Sequence, residues 1–367
     1  MGFNYLGPVD GHNIDALINI FNIAKNENRP VFIHIITKKG KGFSFAESDP
    51  KSYHGVSAFN IDEGMQNGNI TTFSDVFGKT MCEMAEKDAK VCAITAAMTS
   101  GTGLTEFSEK FSSRFFDVGI AEEHAATFAG GLAIKGLKPY FVVYSSFLQR
   151  SYDQLIHDIA TEKLPVRLCI DRAGIVGEDG ESHQGLFDAA FLSTVPNMVV
   201  YSPTYYSELE KILKDSLNFD FPSAIRYPRG TETENTEFQV TGNDYDFYGN
   251  GKTLVVSYGR TVSAAFKAQE ENKNITVLKL NKIHPIPDIK AEDLKNYKNI
   301  IFFEEGIKAG GIAEQFAAYL LEHNLMPNYK IFAINNVFVK HAKIDSVLKK
   351  YNLDSKSILK IVEEVTK

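Results

Sequence analysis

The chain has 367 residues, 44% of them hydrophobic and 23% charged, enough for two or three domains that each bury a core, and nothing in these totals points to disorder. A formal charge of -7 and a pI near 5.8 exclude a general nucleic-acid or anionic-membrane surface, since both need a basic face, so an anionic substrate requires a local basic cluster. Three cysteines (Cys82, Cys92, Cys169) are too few and too dispersed for a disulfide framework or a metal site and read as reduced core residues.

Ile14, Leu17, Ile18, Phe21 and Ala24 form a helical stripe over 13–25, and a buried-type strand follows at 31–36. This is half of a βαβ unit without its beginning. Residues 38–71 are rich in Lys, Gly, Ser, Asp and Asn and read as loop and linker. From Phe73 the pattern predicts helices near 73–87, 104–112, 121–135 and 147–162, with strands near 91–95, 114–118, 139–143 and 166–171. A polar linker near 230–250 precedes strands near 253–257, 275–279, 299–303 and 330–333, and helices near 261–272, 309–323 and 343–350. The alternation specifies an α/β fold, with two parallel-sheet three-layer domains after a domain remnant. No apolar run reaches the roughly 18–20 residues of a membrane helix and no signal peptide is evident, so the expected compartment is the cytoplasm.

Three segments lie where strands hand over to helices, the usual place for sites in parallel α/β folds. In Asp117-Val118-Gly119-Ile120-Ala121-Glu122-Glu123-His124, a part-buried carboxylate could share a proton with a ligand nitrogen, or the acids could simply complement the helix dipole. In 141–153, Tyr144 or Phe147 could stack on a heteroaromatic ring with the charge of Arg150 nearby, or the aromatics could be core. The 171–188 stretch carries four glycines with Arg172, Asp179 and His183 after a strand. Together with Arg229 it could clamp a phosphate, because guanidinium offers paired donors, or these arginines could make only structural ion pairs. Lys38-Lys39-Gly40-Lys41-Gly42, with Phe43 and His54 beyond it, could cover an anionic cofactor, although a solvated basic turn explains it as well.

In order, GFNYLGPVDGHN, TKKGKGF with His54, DVGIAEEHAATFAGGLA, VVYSSFLQRSYDQLIHD, IDRAGIVGEDGESHQGLFD and YPRG resemble the signatures of 1-deoxy-D-xylulose-5-phosphate synthases. The resemblance runs to about residue 230. It divides the chain into the end of a diphosphate-binding domain (1–43), a linker (44–71), a pyrimidine-binding domain (72–230), a second linker (231–250) and a transketolase-like C-terminal domain (251–367). It implies a homodimeric, thiamine-diphosphate- and magnesium-dependent transferase that condenses pyruvate with D-glyceraldehyde 3-phosphate, giving 1-deoxy-D-xylulose 5-phosphate and carbon dioxide. That product feeds isoprenoid and thiamine biosynthesis.

By the same resemblance Glu122 bonds the aminopyrimidine nitrogen, Phe147 stacks on that ring, and Lys39 and Phe43 lie over the cofactor. His54 lies near the reacting atoms, Arg172 and Arg229 hold the acceptor phosphate, and Tyr144, Arg150, Asp179 and His183 order the closed site. Position 43 is often Tyr in that family. The chain has no Gly-Asp-Gly, the family's magnesium motif, so the resemblance implies that the metal ligands lie in a missing N-terminal part, either truncated or carried on a separate chain. Without that part the chain is expected to be inactive. The rival readings are a subunit of a split transketolase or 2-oxoacid dehydrogenase, and a non-catalytic dimeric fragment.

Overall fold

The computed structural model describes residues 2–50, 52–56, 58–65, 70–233 and 240–366, in two compact units, Met1–Asn69 and Ile70–Lys367. In the first unit, strand β1 (Asn4–Asp10) leads through the helix Ile14–Lys25 to strand β2 (Val31–Ile36), and the two strands pair in parallel from Asn4↔Val31 to Asp10↔Ile36. The half unit expected from sequence is therefore a whole βαβ unit. Its first strand is hard to read because Gly7 and Pro8 interrupt the run, and the register shifts between Leu6 and Val9 there. The helix starts where the Asn13 side chain accepts the Ala16 amide (3.0 Å), which satisfies one free N-terminal donor. No residue of that helix is buried, and Phe3, Tyr5, Ile14, Ile18, Phe21, Phe32 and Ile36 are all at least half exposed.

The second unit holds two sheets. The first contains β3 (Val91–Thr95), β4 (Phe115–Asp117), β5 (Lys138–Tyr144), β6 (Arg167–Asp171), β7 (Val199–Tyr201) and β8 (Ser223–Arg226). The second contains β9 (Tyr245–Tyr248), β10 (Thr253–Tyr258), β11 (Ile275–Leu280), β13 (Asn299–Ile307) and β14 (Asn328–Ile334). Strand β12 (Lys282–His284) returns to the first sheet, so the orders are β12-β7-β8-β6-β5-β3-β4 and β14-β13-β10-β11-β9. Pairing is parallel except at one edge of each sheet, where β12 and β9 run antiparallel to β7 and β11.

Strands β3, β6, β10 and β11 are buried along their whole length, the mark of a sheet covered on both faces. One apolar cluster runs from Ile94, Phe141 and Ile170 to Val256, Leu278 and Phe302, so the two sheets share a core. The three cysteines are buried and unpaired, and burial pushes the Cys82 thiol up to about 11 and Cys92 to about 12.

The helix Phe73–Lys87 begins with a reciprocal cap: Thr72 Oγ1 accepts the Asp75 amide while the Thr72 amide donates to Asp75 Oδ2 (2.8 Å). It buries Phe73, Phe77, Met81 and Met84 on one face. The helix expected over 147–162 is instead broken into Ser145–Leu148, a tight turn at Gln149–Ser151, Tyr152–Gln154 and a widened turn at Leu155–Ala160. Apolar spacing alone does not distinguish a regular helix from one that tightens and then widens. Among the described residues, no helix is long and apolar enough to cross a membrane.

Candidate functional site

Strands β3, β4, β5 and β6 all end at one edge of the first sheet, and the sequence signatures follow those ends. Asp117, the last residue of β4, organises the first turn by accepting the Ala97 amide (2.8 Å), the Thr99 hydroxyl (2.9 Å) and the Gly119 amide (3.0 Å). Glu122 then opens the helix Glu122–Ile134. It is only 2% exposed, whereas its neighbour Glu123 is exposed, so the two acids are not equivalent and a solvated first turn does not describe Glu122. The Arg150 Nη1 donates to its Oε2 at 3.2 Å.

Tyr144 ends β5, and its ring stacks on Phe147 with centroids 6.0 Å apart. The edge of His183 meets the Phe147 ring at 5.4 Å. On the other side the Arg172 guanidinium lies 4.1 Å over the Tyr144 ring. Gly101 is needed here, because a Cβ would lie 1.8 Å from the Tyr144 hydroxyl.

Arg172 sits just after β6 with a left-handed backbone (φ 59°). Its Nη1 donates to Ser74 Oγ (3.2 Å) and the Gly101 carbonyl (2.5 Å) and pairs with Asp171 (2.9 Å), while Nε has no acceptor among the described residues. Three acceptors thus anchor one tip of the guanidinium and leave the Nε edge for something else. Asp171 is fully buried; desolvation pushes its carboxyl up, against the pull of Arg172 and Ser74.

The loop after β6 is closed on itself by paired backbone bonds between Gly174 and Gly185 (2.6 and 2.8 Å) and by the Val176 amide donating to Gln184 Oε1 (2.9 Å). Arg229 Nη1 reaches into this loop, donating to Asp179 Oδ1 (2.7 Å) and the Val176 carbonyl (3.3 Å). Behind it lies a buried chain of polar groups. Arg226 grips Asp188 through two bonds (2.8 and 3.2 Å), its guanidinium lies 5.3 Å over the Tyr258 ring, and Tyr258 donates to Glu304 Oε2 (2.8 Å).

Of the residues to which the sequence points, Tyr144, Phe147, His183 and Arg172 form one continuous set of contacts, while Glu122–Arg150 and Asp179–Arg229 are separate pairs. Lys39, Phe43 and His54 belong to the first unit. There Lys39 Nζ lies 3.1 Å from His54 Nδ1, and Phe43 packs with Phe45, Tyr53 and Phe59 at 5.4–6.0 Å. Glu47 accepts from Lys38 (2.5 Å) and the Gly42 amide (2.9 Å), which hold its carboxyl down at about 2 and give the basic turn a structural role. Ser74, Asp171, Arg260 and Glu305 also touch the site, outside the set expected from sequence. Of these, only Asp171, adjacent to Arg172, carries a signal in the sequence.

Residues 70–233 match the family described as transketolase, pyrimidine binding domain; 249–358 match transketolase, C-terminal domain; and 1–37 match 1-deoxy-D-xylulose-5-phosphate synthase. The chain is 44% identical over 371 residues to the 1-deoxy-D-xylulose-5-phosphate synthase of Caldanaerobacter subterraneus subsp. tengcongensis, which covers 98% of this chain and 59% of that protein. It is 46% identical over 369 residues to that of Clostridium perfringens, covering 98% and 60%. Among solved structures, a split gene transketolase in an inactive beta4 tetramer aligns with a TM-score of 0.71 at 24% identity, over 80% of this chain and 97% of that one. Transketolase from Campylobacter jejuni aligns with a TM-score of 0.66 at 14% identity, over 99% and 67%. The two structural likenesses show the fold. The sequence identities show that this chain, spanning about three fifths of the length of the curated relatives it matches, is a homologue of 1-deoxy-D-xylulose-5-phosphate synthase across the pyrimidine-binding and C-terminal domains.

Proposed function

We propose that this chain is the pyrimidine-binding part of a thiamine-diphosphate-dependent synthase that joins pyruvate to D-glyceraldehyde 3-phosphate, giving 1-deoxy-D-xylulose 5-phosphate and carbon dioxide. The observation that carries the reading is Glu122, a carboxylate buried at the carboxyl edge of a parallel sheet, with an aromatic stack and two arginines on the neighbouring strand ends.

The donor set fits the pyrimidine half of the cofactor. A buried carboxylate is the group that can hold a proton-bearing ring nitrogen, and the Phe147 ring is the right surface for a heteroaromatic face. When bound, thiamine diphosphate supplies a thiazolium carbon that stabilises carbanion character. Glu122 holds the aminopyrimidine nitrogen, with Arg150 beside it balancing charge, and Phe147 packs on the ring. The free edge of Arg172 and the guanidinium of Arg229 take the acceptor phosphate, Arg229 exchanging its Asp179 contact for it. Tyr144 fixes the plane of Arg172, and His183 closes against Phe147. In the first unit, Lys39 donates to His54 and offers its charge to anionic groups of cofactor or substrate, and Phe43 gives that turn its packing.

We assign no magnesium ligand to these residues. Among the described residues no group of three or more His, Cys, Asp or Glu is arranged to hold a metal ion. We place the ion and the cofactor diphosphate on another stretch of polypeptide. The two-stranded sheet of the first unit, with its apolar side chains bare, is the surface such a stretch would cover. A separate partner chain is one source, and the split gene transketolase is the structural neighbour that favours it. We further propose the homodimer of the pyrimidine-binding and C-terminal domains.

The test is product formation from pyruvate and D-glyceraldehyde 3-phosphate with thiamine diphosphate and magnesium, by the chain alone and with the diphosphate-binding domain of a full-length relative added. Product only after addition supports the reading. Product from the chain alone overturns the metal argument, and no product in either case favours a folded, non-catalytic dimer.

A further inference from the structure

We infer that Arg260 and Glu305, from the second sheet and its first helix, are positioning residues that set the spacing of Arg172 and Arg229 through the backbone; this rests on the phosphate-binding reading of those two arginines. Arg260 stands immediately before the helix Thr261–Glu271, and Glu305 lies inside β13. Neither is near in sequence to the ends of the strands that carry the site signatures. Both are nonetheless withdrawn from solvent, with Glu305 only 4% exposed.

Their partners are backbone atoms of the site. Arg260 Nη1 donates to the Ile175 carbonyl (3.2 Å) and Nη2 to the Arg229 carbonyl (3.2 Å), so one planar guanidinium spans the two segments that carry the arginines. The Glu305 carboxylate faces the Ile175 amide and pairs with Arg260 Nη1 at 3.5 Å. Ile175, three residues beyond Arg172, is thus held at its C=O by Arg260, with the negative charge of Glu305 beside its N–H. Gly174 completes the fit: with φ +83° it lets Glu305 approach so closely that a Cβ would lie 2.2 Å from Oε2. A lysine at 260 keeps the charge but offers no rigid fork to bridge two carbonyls. Two phosphate-binding side chains work as a pair only at a fixed separation, and this clasp is what the structure offers to fix it.

The experiment uses the full chain with Arg260→Lys, Glu305→Gln and, as a control on the underlying reading, Arg172→Met. Hydrogen exchange at the Ile175 amide is compared with Cys169 and Ile170 in β6, and inorganic phosphate is titrated calorimetrically. Removing the Glu305 charge, which pairs with the Arg260 clasp and faces the Ile175 amide, predicts exchange at Ile175 faster by about tenfold in Glu305→Gln, with β6 unchanged. Phosphate binding should weaken by about tenfold in Arg260→Lys while the melting temperature holds. In the completed enzyme the same variants should raise KM for D-glyceraldehyde 3-phosphate and leave kcat and KM for pyruvate close to the parent values. Unchanged Ile175 exchange, or a rise shared by β6, overturns the clasp. If Arg172→Met itself leaves phosphate binding intact, it is the phosphate-binding reading that fails.

Discussion

Glu304 should make the protein less stable as the pH rises towards neutrality. It is fully buried and accepts from the Tyr258 hydroxyl (2.8 Å) and from the Ile312 and Ala313 amides (3.2 Å each), yet desolvation outweighs these donors and pushes its carboxyl up to about 7 from 4.5. A carboxyl whose folded pKa exceeds its unfolded one binds its proton more tightly when folded. Between about pH 4.5 and 7 the folded state therefore carries more protons, and stability falls as pH rises. At 1.36 kcal/mol per unit the full swing is about 3 kcal/mol, with the penalty fully developed above pH 7. Glu304→Gln removes the titration while keeping the volume. Urea unfolding followed by circular dichroism at pH 4.5 to 8 should show the difference in stability between parent and variant shifting by about 3 kcal/mol across that window, in favour of the variant at high pH. A constant difference at every pH would refute the argument that burial dominates the three donors.

Glu122→Ala should abolish turnover in the completed enzyme and leave folding nearly intact, since its partner Arg150 is half exposed and such pairs contribute about 1 kcal/mol or less; a collapse of the melting transition would reassign Glu122 to a structural role. Arg226→Met should destabilise by about 3–5 kcal/mol in chemical denaturation, because it leaves the fully buried Asp188 without its bidentate partner, and adding Asp188→Leu should recover much of the loss. Gly101→Ala must displace the Tyr144 ring from Arg172. The expected cost is about 1–3 kcal/mol in stability, with weaker binding of inorganic phosphate; parent-like values in both assays would show that Tyr144 moves without consequence.

Much of both sheets was legible because many strands are continuous apolar runs: Val91–Thr95, Arg167–Asp171 and Thr253–Tyr258 read as buried even though Arg167 lies among them, its guanidinium donating to the carbonyls of Ser216 (2.9 Å) and Phe219 (2.7 Å). The shortest strands were not, among them Val199–Tyr201 and Ser223–Arg226 inside the first sheet. Tyr245–Tyr248 falls in a segment read as linker, and Lys282–His284 has three residues, too few to show any period. At the site, the residues next to strand ends were visible, whereas the resemblance, not the residue pattern, singled out Glu122, which differs from Glu123 in being buried. Arg260 and Glu305 were not, because Arg260 donates to backbone carbonyls 85 and 31 residues away and Glu305 acts through Arg260, and sequence carries no trace of a bond to a main chain.

Strand β12 also orders events during synthesis. Residues 282–284 close the free side of β7, yet they come after the whole of β9, β10 and β11 in the chain. On the ribosome the first sheet therefore stays open along that side until about the last quarter of the chain is being made. At translation rates of roughly 5–20 residues per second, the interval between completing β8 and delivering β12 is several seconds. During that interval the nascent protein presents an unpaired strand to its surroundings. A stop codon placed in the polar stretch after residue 230 would make the exposure permanent, so the pyrimidine-binding sheet should behave poorly when expressed without the C-terminal domain.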